Sequence, residues 1–122
     1  MTAMTSQPLL LSRGDVILVL YPNSDLRTAK KRPALVVQAD NLDTGLNQLI
    51  VAMITSRTFR ANHPSRVLID LATDEGHESR SLSDSVVMTD NLATIFLHAI
   101  DRKIGTIPVG PVNDAFRHTL GL

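Results

Sequence analysis

Cysteine and tryptophan are absent from this sequence of 122 residues, and aromatic side chains make up 3% of it. The absence of cysteine excludes disulfides and thiolate metal sites, as is typical of proteins in a reducing cytoplasm. No apolar run is long enough for a membrane span, and residues 1–12 lack the basic start of a signal peptide. We therefore expect a cytoplasmic protein whose residues 1–12 form a flexible N-terminal arm.

Net charge is lacking as well, because 12 basic residues are balanced by 12 acidic ones. A nucleic-acid-binding protein usually has a basic excess, so the total charge counts against that class. The distribution is uneven, however. Residues 27–66 hold seven basic and two acidic side chains, whereas residues 68–90 hold six acidic side chains and one basic. An anionic ligand is therefore expected at the first of these segments.

Hydrophobic residues make up 43% of the chain, which predicts a folded protein with one domain over residues 13–122. Short β-rich runs alternate with turn residues along most of the sequence. Residues 48–55 are apolar almost throughout, so both faces of that strand are expected to be covered. The predicted strands are residues 15–21, 33–39, 48–55, 66–71 and 84–89, with shorter ones at 94–96 and 104–107.

Helical periodicity is found only at the C-terminal end. Pro111 suits a first helical turn, Val112, Phe116 and Leu120 share one face, and Gly121 can end the helix. Residues 72–83 are instead predicted to be a polar, acidic connection. Several short strands with tight turns and one terminal helix predict a mainly β fold, a small barrel with a C-terminal helix.

Arg32 and Thr55 are the candidate residues for contact with a phosphate. Each lies at the end of a predicted strand, where a guanidinium and a hydroxyl can reach one patch of surface. A planar fork of donors beside a hydroxyl suits phosphoryl oxygens. From position alone, the better interpretation of Arg32 is a surface arginine before a strand, and that of Thr55 a threonine that closes one.

A basic loop over residues 56–66 could hold the backbone of single-stranded RNA, with Phe59 stacking on a base. The alternative is a solvated loop. The two lysines before Arg32 could likewise contact phosphates or only solubilise a turn, and Ser56 could assist Thr55 or simply begin the loop. The candidate RNA-binding residues are Lys30, Lys31, Ser56, Arg57, Phe59 and Arg60.

The four histidines are scattered, and no pair has the spacing of a zinc motif. His77 lies in an acidic stretch that lacks the full pattern of a calcium loop, so a solvated loop is the better interpretation. The sequence therefore predicts no metal and no other cofactor. The general base is left unassigned, with Asp25 a candidate by location only.

Four short motifs carry a family resemblance through their order and spacing: Arg13-Gly14-Asp15, Lys31-Arg32-Pro33, Ile54-Thr55-Ser56 and residues 84–90 (DSVVMTD). Together they resemble the PemK/MazF family, toxins of type II toxin–antitoxin pairs that cut RNA. The resemblance extends from Arg13 to Leu122. It implies an SH3-like barrel with a C-terminal helix, and an mRNA interferase that needs no metal. It also implies a homodimer and an acidic antitoxin partner, and assigns catalysis to Arg32 and Thr55.

Two alternatives remain at this stage. One is a CcdB-like toxin that binds a topoisomerase, a class that relies on a tryptophan in its C-terminal tail. This chain has no tryptophan and ends in Leu120-Gly121-Leu122. The other is a catalytically silent barrel that only binds RNA or a protein partner.

Overall fold

In a computed structural model the chain is described for residues 10–22, 25–79, 81 and 83–122. Most of the predicted N-terminal arm, residues 1–9, lies outside this description. The strands are β1 (Asp15–Pro22), β2 (Ala29–Val36), β3 (Gln48–Thr55), β4 (Arg66–Ile69), β5 (Ser85–Phe96) and β6 (Ile100–Thr106). The helices are α1 (Asp74–Glu78) and α2 (Gly110–Leu120), and a 3₁₀ turn at Leu97–Ala99 joins β5 to β6.

The six strands form one antiparallel sheet in the order β4-β5-β3-β2-β1-β6. Sequential strands that neighbour each other, such as β1 and β2, are joined by short connections, which favour antiparallel pairing. The sheet is curled, and α2 packs against β4 and β5. The predicted fold, a small barrel with a C-terminal helix, is confirmed.

Two apolar clusters hold the sheet together. Alternate residues of the strands point to opposite faces, so Leu35 and Ile54 join one cluster while Ala34 and Met53 join the other. Strand β3 contributes to both clusters, and five of its six residues from Leu49 to Ile54 are buried. The expectation that both of its faces are covered is therefore confirmed.

The C-terminal helix also follows its sequence pattern. Val112 is 0% and Ala115 4% exposed, and both pack toward the sheet, whereas Leu120 is 55% exposed. Pro111 stands in the first turn, where its missing N–H costs no helical hydrogen bond. Gly121 ends the helix with φ of 71°, a left-handed conformation that glycine adopts without strain.

Four element predictions were wrong. Strand β6 begins at Ile100, four residues before the predicted start at Ile104. Strand β2 begins at Ala29, four residues before the predicted start at Pro33. Strand β5 runs on to Phe96, where two separate strands were expected. The segment predicted to be only a connection contains α1, whose first turn is capped by the Thr73 hydroxyl accepting the Gly76 N–H at 3.0 Å.

The joined β5 contains a bulge that explains its mistaken division. Ala52 pairs with Leu92, but the next residue of β3, Met53, pairs with Met88. The three residues 89–91 are therefore extra on β5. They include Asp90 and Asn91, which are poor strand formers and read as a turn in the sequence.

Candidate active site

A cleft opens where β2 and β3 separate. Their pairing includes Val36 with Val51 and stops at Ala34 with Met53. Beyond that point β2 continues to pair with β1 as far as Ala29, and β3 continues to pair with β5 as far as Thr55. The sheet thus divides into two hairpin-like arms with a gap between them.

Pro33 gives a physical reason for the separation. The Val37 N–H donates to the Ile50 carbonyl at 3.2 Å, and directly hydrogen-bonded positions recur at every second residue of an antiparallel ladder. Moving from Val37 along β2 by two residues at a time leads to Leu35 and then to Pro33. At Pro33 a backbone N–H would have to donate to the Ile54 carbonyl. Proline has no N–H, so the ladder loses a hydrogen bond there and the strands can part.

The gap leads into a cavity of about 920 Å³. Its floor is apolar and includes Ile54, Ile69 and Ile104, while its rim is polar. Among the described residues that line it there are four cations and no aspartate, glutamate or histidine. The predicted site residues that line it are Lys30, Lys31, Arg32, Thr55, Ser56 and Arg57. A concave surface with four positive charges favours an anionic ligand.

Arg32 and Thr55 flank the cleft from opposite sides. The β2–β3 register pairs Ala34 with Met53, and continuing it by two residues on each strand sets Arg32 across from Thr55. Both side chains then project from the same face of the sheet, since the side-chain period is two. Arg32 is half-buried on β2, where it pairs with Val19 of β1. A phosphoryl group in the cleft could therefore contact both side chains.

The Thr55 hydroxyl is oriented by the chain that follows it. Its oxygen accepts the backbone N–H of Arg57 at 3.2 Å, an arrangement in which threonine closes a turn on itself. Since the oxygen is the acceptor in that bond, the hydroxyl hydrogen is available to donate. A phosphoryl oxygen, which can only accept, fits such a donor.

The two lysines differ in their surroundings. Lys31 lies 3.4 Å from the Asp101 carboxylate on β6, with its side chain 56% exposed. Asp101 also pairs with Arg102 at 2.7 Å. An exposed ion pair of this kind contributes at most about 1 kcal/mol, so Lys31 can exchange Asp101 for a phosphate at little cost. Lys30 pairs across the hairpin with Tyr21.

Phe59 and Arg60 are not among the residues that line the cavity. Phe59 is 78% exposed, and the Arg60 guanidinium lies 5.7 Å from the centre of its ring. The turn that holds them is closed by the His63 N–H donating to the Arg60 carbonyl at 3.0 Å. Their predicted part in RNA binding stays a prediction, and the structure separates them from the other six candidates.

Other cavity residues were missed by the sequence analysis. Tyr21 is the single tyrosine of the chain and brings an aromatic ring to the cavity. Met88 and Asn91 come from either end of the β5 bulge. A serine-rich stretch lines the side of the cavity formed by β5 and the segment before it. The serine spacing of two, at 79, 81, 83 and 85, was the signal in the sequence that could have found it.

Asp25 is unsuited to the role of general base. Its carboxylate accepts the backbone N–H of Thr28 at 3.0 Å, the backbone N–H of Arg27 at 2.9 Å and the Thr28 hydroxyl at 3.0 Å. These hydrogen bonds lower the pKa of Asp25 below the ordinary value of 3.8. The bond from the Thr28 backbone N–H has the largest effect. A carboxylate stabilised in this way holds a proton weakly, and Asp25 does not line the cavity.

The described residues contain no group of three or more histidine, aspartate or glutamate side chains placed to hold a metal ion. Nor does any helix within the described ranges have the length and hydropathy needed to cross a membrane.

Fold and cavity together define a small antiparallel β-barrel with a cleft lined by cations. Residues 12–115 match the PemK-like, MazF-like toxins of type II toxin–antitoxin systems, and the chain belongs to this family. It is 30% identical over 111 residues to Endoribonuclease MazF2 of Mycobacterium bovis, covering 89% of this chain and 93% of the relative. The same values hold for Endoribonuclease MazF6 of Mycobacterium tuberculosis.

A solved structure with the same fold is that of an endoribonuclease in complex with its cognate antitoxin from Mycobacterial species. The two chains share 17% sequence identity with a TM-score of 0.69, and the match covers 93% of this chain and 97% of the other. The likeness extends over the whole barrel.

Proposed function

We propose that this chain is the toxin of a type II toxin–antitoxin pair and acts as an endoribonuclease on single-stranded RNA. The observation that carries the proposal is the convergence of Arg32 and Thr55 on one cavity lined by cations. Relatives named as endoribonucleases favour this activity over the CcdB-like alternative of topoisomerase binding.

The proposed reaction is an internal phosphoryl transfer. The ribose 2′-oxygen forms a bond to phosphorus while the bond from phosphorus to the 5′-oxygen breaks, and the departing oxygen takes up a proton. Negative charge builds on the equatorial oxygens, where Arg32 offers two parallel donors and Thr55 a third. Donors fixed in this way contribute about 3 kcal/mol each to lowering such a barrier.

Arg32 stays protonated in proteins and therefore cannot be the base that accepts the 2′-hydroxyl proton. Its roles are to neutralise charge and to hydrogen-bond the leaving oxygen. No carboxylate or imidazole lies among the described cavity residues, so the 2′-hydroxyl proton passes to solvent in this scheme. Catalysis is then mainly electrostatic, and needs neither a metal nor another cofactor.

Lys30, Lys31, Ser56 and Arg57 bind the flanking phosphates in this proposal, because they border the same cavity. Tyr21 offers a ring on which one splayed base can stack. Such access to individual bases requires a single strand, since stacked and paired bases in a duplex cannot enter a cleft between two β-strands.

Purified protein should cleave a single-stranded RNA in the presence of EDTA and spare the same sequence in a duplex. The products should carry 2′,3′-cyclic phosphate or 3′-phosphate ends together with 5′-hydroxyl ends, as mass spectrometry would show. A strict requirement for a divalent ion, or 5′-phosphate ends, would contradict the mechanism. Binding of RNA without any cleavage would instead favour the silent barrel.

An acidic antitoxin segment is the proposed partner, acting in the cytoplasm. The described residues that line the cavity include four cations and no carboxylate, so an acidic peptide can occupy the place of the RNA backbone. A short acidic protein encoded beside this chain should co-purify with it and inhibit cleavage. An inhibitor that left RNA binding unchanged would contradict this arrangement.

We also propose a homodimer, the assembly that the family resemblance implies. The apolar strand β3 is no argument for it, because that strand is already buried within one chain. Large apolar side chains remain exposed nearby on β5 and the 3₁₀ turn, with Leu92 at 42%, Phe96 at 54% and Leu97 at 43%. Exposed apolar side chains near one another on a surface are typical of an interaction site, and we propose that these three lie at the dimer interface. Light scattering at micromolar concentration should give twice the chain mass, and a monomer would contradict the proposal.

A further inference from the structure

Three serines on the β5 side of the cavity form a compact oxygen cluster. The Ser81 hydroxyl lies 2.8 Å from the Ser83 carbonyl, and the Ser85 hydroxyl 3.0 Å from the same carbonyl. The two hydroxyl oxygens are 3.0 Å apart. All three residues line the cavity. The cluster is thus three oxygens within hydrogen-bond distance of one another.

The hydrogens of this cluster are used internally. A serine hydroxyl has one hydrogen, so the two hydroxyls supply two hydrogens for the three contacts. Whether both hydrogens go to the Ser83 carbonyl or one goes to the other hydroxyl, neither is left for a ligand. Toward the cavity the cluster therefore presents lone pairs. This is the opposite of Thr55, whose oxygen accepts a backbone N–H and whose hydrogen is available.

The cluster is held in place by the segment beneath it. Ser79 is 0% exposed, donates its hydroxyl to the Gly76 carbonyl, and accepts the Ser81 N–H at 3.2 Å. Its backbone lies so close to β6 that a Cβ added at Gly105 would come within 2.3 Å of the Ser79 carbonyl oxygen. Acceptors fixed by such packing discriminate between ligands better than mobile ones.

The cluster is also close to the proposed reaction centre. Val86 pairs with Thr55, and Ser85 is the residue before Val86. Neighbouring strands of a sheet are about 4.8 Å apart, so Ser85 lies about one strand spacing from the end of β3. Ser85 projects from the opposite side of the sheet to Thr55, because side chains alternate along β5 and Val86 is the residue across from Thr55. Both residues line the same cavity, so a nucleotide whose phosphate contacts Arg32 and Thr55 would reach the cluster by placing its base around the end of β3.

We infer that Ser81 and Ser85, with the Ser83 carbonyl, form a base-recognition subsite that accepts a hydrogen bond from the exocyclic amino group of a nucleobase. The inference rests on the proposed function for its substrate class. A phosphate cannot satisfy the cluster because it offers no donor at neutral pH. Cytosine and uracil have nearly the same shape but present an amino donor and a carbonyl acceptor at the same position. The cluster should therefore favour cytosine and repel uracil.

The test compares short single-stranded RNAs that differ only by cytosine or uracil at each position around the cleavage site. One position should show a preference for cytosine of about tenfold or more in kcat/KM. Ser81→Ala and Ser85→Ala should each reduce that preference at least threefold. Thr44→Ala is the control, because it removes a hydrogen-bonded hydroxyl that lies outside the cavity. This variant should leave the preference for cytosine unchanged.

Fluorescence anisotropy with oligocytidine and oligouridine gives a second reading that does not depend on cleavage. If the parent binds oligocytidine more tightly and both serine variants lose the difference, the subsite stands even when no RNA is cut, and the proposed enzyme activity alone fails. If RNA is cut but the serine variants keep the parent's preference, the subsite is wrong and the activity stands. Circular dichroism of each variant shows whether it is folded. If the buried Ser85 does not tolerate alanine, the Ser81→Ala variant alone tests the subsite.

Discussion

The two basic segments of this chain each hold three cations but differ in their surroundings. Lys30, Lys31 and Arg32 lie along β2 and line the cavity, whereas the loop over residues 56–66 divides its cations among three environments. Arg57 reaches the cavity, and Arg60 lies over the exposed ring of Phe59. Positive charge alone therefore does not identify a site. Convergence of several cations on one concave surface does.

Arg66 shows the third environment. Its Nη2 donates to the Asp90 carboxylate at 3.2 Å, and its side chain is 15% exposed. Its Nε is 3.1 Å from the other carboxylate oxygen but is not aligned for a hydrogen bond. This pair connects the start of β4 to the β5 bulge. Arg66 therefore stabilises the fold and is not free to hold RNA.

The largest effect is expected at the cavity. Arg32→Ala and Thr55→Ala should each lower RNA cleavage tenfold or more, which corresponds to a barrier increase of about 1.4 kcal/mol or above. Arg32→Lys should also fail, since lysine keeps the charge but loses the fork that spans two phosphoryl oxygens. The rate of single-turnover RNA cleavage, measured with the protein in saturating excess over the RNA, gives the size of the effect.

Thr55→Ser is the matched control, because it keeps the hydroxyl and should retain most of the rate. Thermal unfolding of each variant should be close to that of the parent, since both side chains are only partly buried and line the cavity. Alanine variants that cut RNA as fast as the parent would show that the active site lies elsewhere.

A smaller effect should separate the two loop arginines. Arg57→Ala should weaken RNA binding several-fold and reduce the slope of log K against log salt by about 0.7, the loss of one phosphate contact on a single strand. Arg60→Ala should change affinity by less than about twofold, because its guanidinium lies over Phe59 outside the cavity. Anisotropy titrations at several salt concentrations measure both quantities.

Equal effects at Arg57 and Arg60 would mean that RNA extends over the whole loop, and the contrast between cavity and surface would fail. Arg66→Ala serves as a structural control. It should lower the thermal midpoint because Asp90 loses its partner, and at a temperature where it remains folded it should bind RNA with nearly the parent's salt slope.

The smallest effect concerns Asp25 and pH. Because hydrogen bonds lower its pKa below 3.8 in the folded chain, this carboxylate stabilises the turn at residues 25–28 above that pH. The stabilisation should be lost as pH falls through the lower, folded pKa. The carboxyl carbon shift of Asp25, followed by NMR, should give a midpoint below 3.8.

Asp25→Asn tests whether this residue takes part in the chemistry. At pH 7 it should change RNA cleavage by less than about twofold, since the amide oxygen can still accept hydrogen bonds from the turn. A tenfold loss of rate with an intact fold would restore Asp25 as the general base.

Local patterns in the sequence were sufficient for the elements that depend on local chemistry. Strand β3 has the predicted bounds because a continuous apolar run bounded by polar residues is stable only when both faces are covered. Helix α2 ends at Gly121 as predicted because the left-handed cap needs glycine. Arg32 and Thr55 were predicted from the short motifs that carry the family resemblance, and their role in catalysis stays a prediction. Thr55 ends β3 as expected, whereas Arg32, predicted at a strand end, lies within β2.

The tertiary structure decided the features that depend on which groups meet. The sequence contains Pro33, but its effect as a break in the ladder required β3 to lie beside it, with Ile54 opposite. Likewise, the serines at 81 and 85 are ordinary loop residues until one carbonyl takes up their hydrogens beside the cavity. Sequence patterns also could not distinguish the roles of Arg57, Arg60 and Arg66, because all three carry the same guanidinium group. Their roles depend on contacts with residues far apart in the chain, and such contacts cannot be read from residue type and spacing alone.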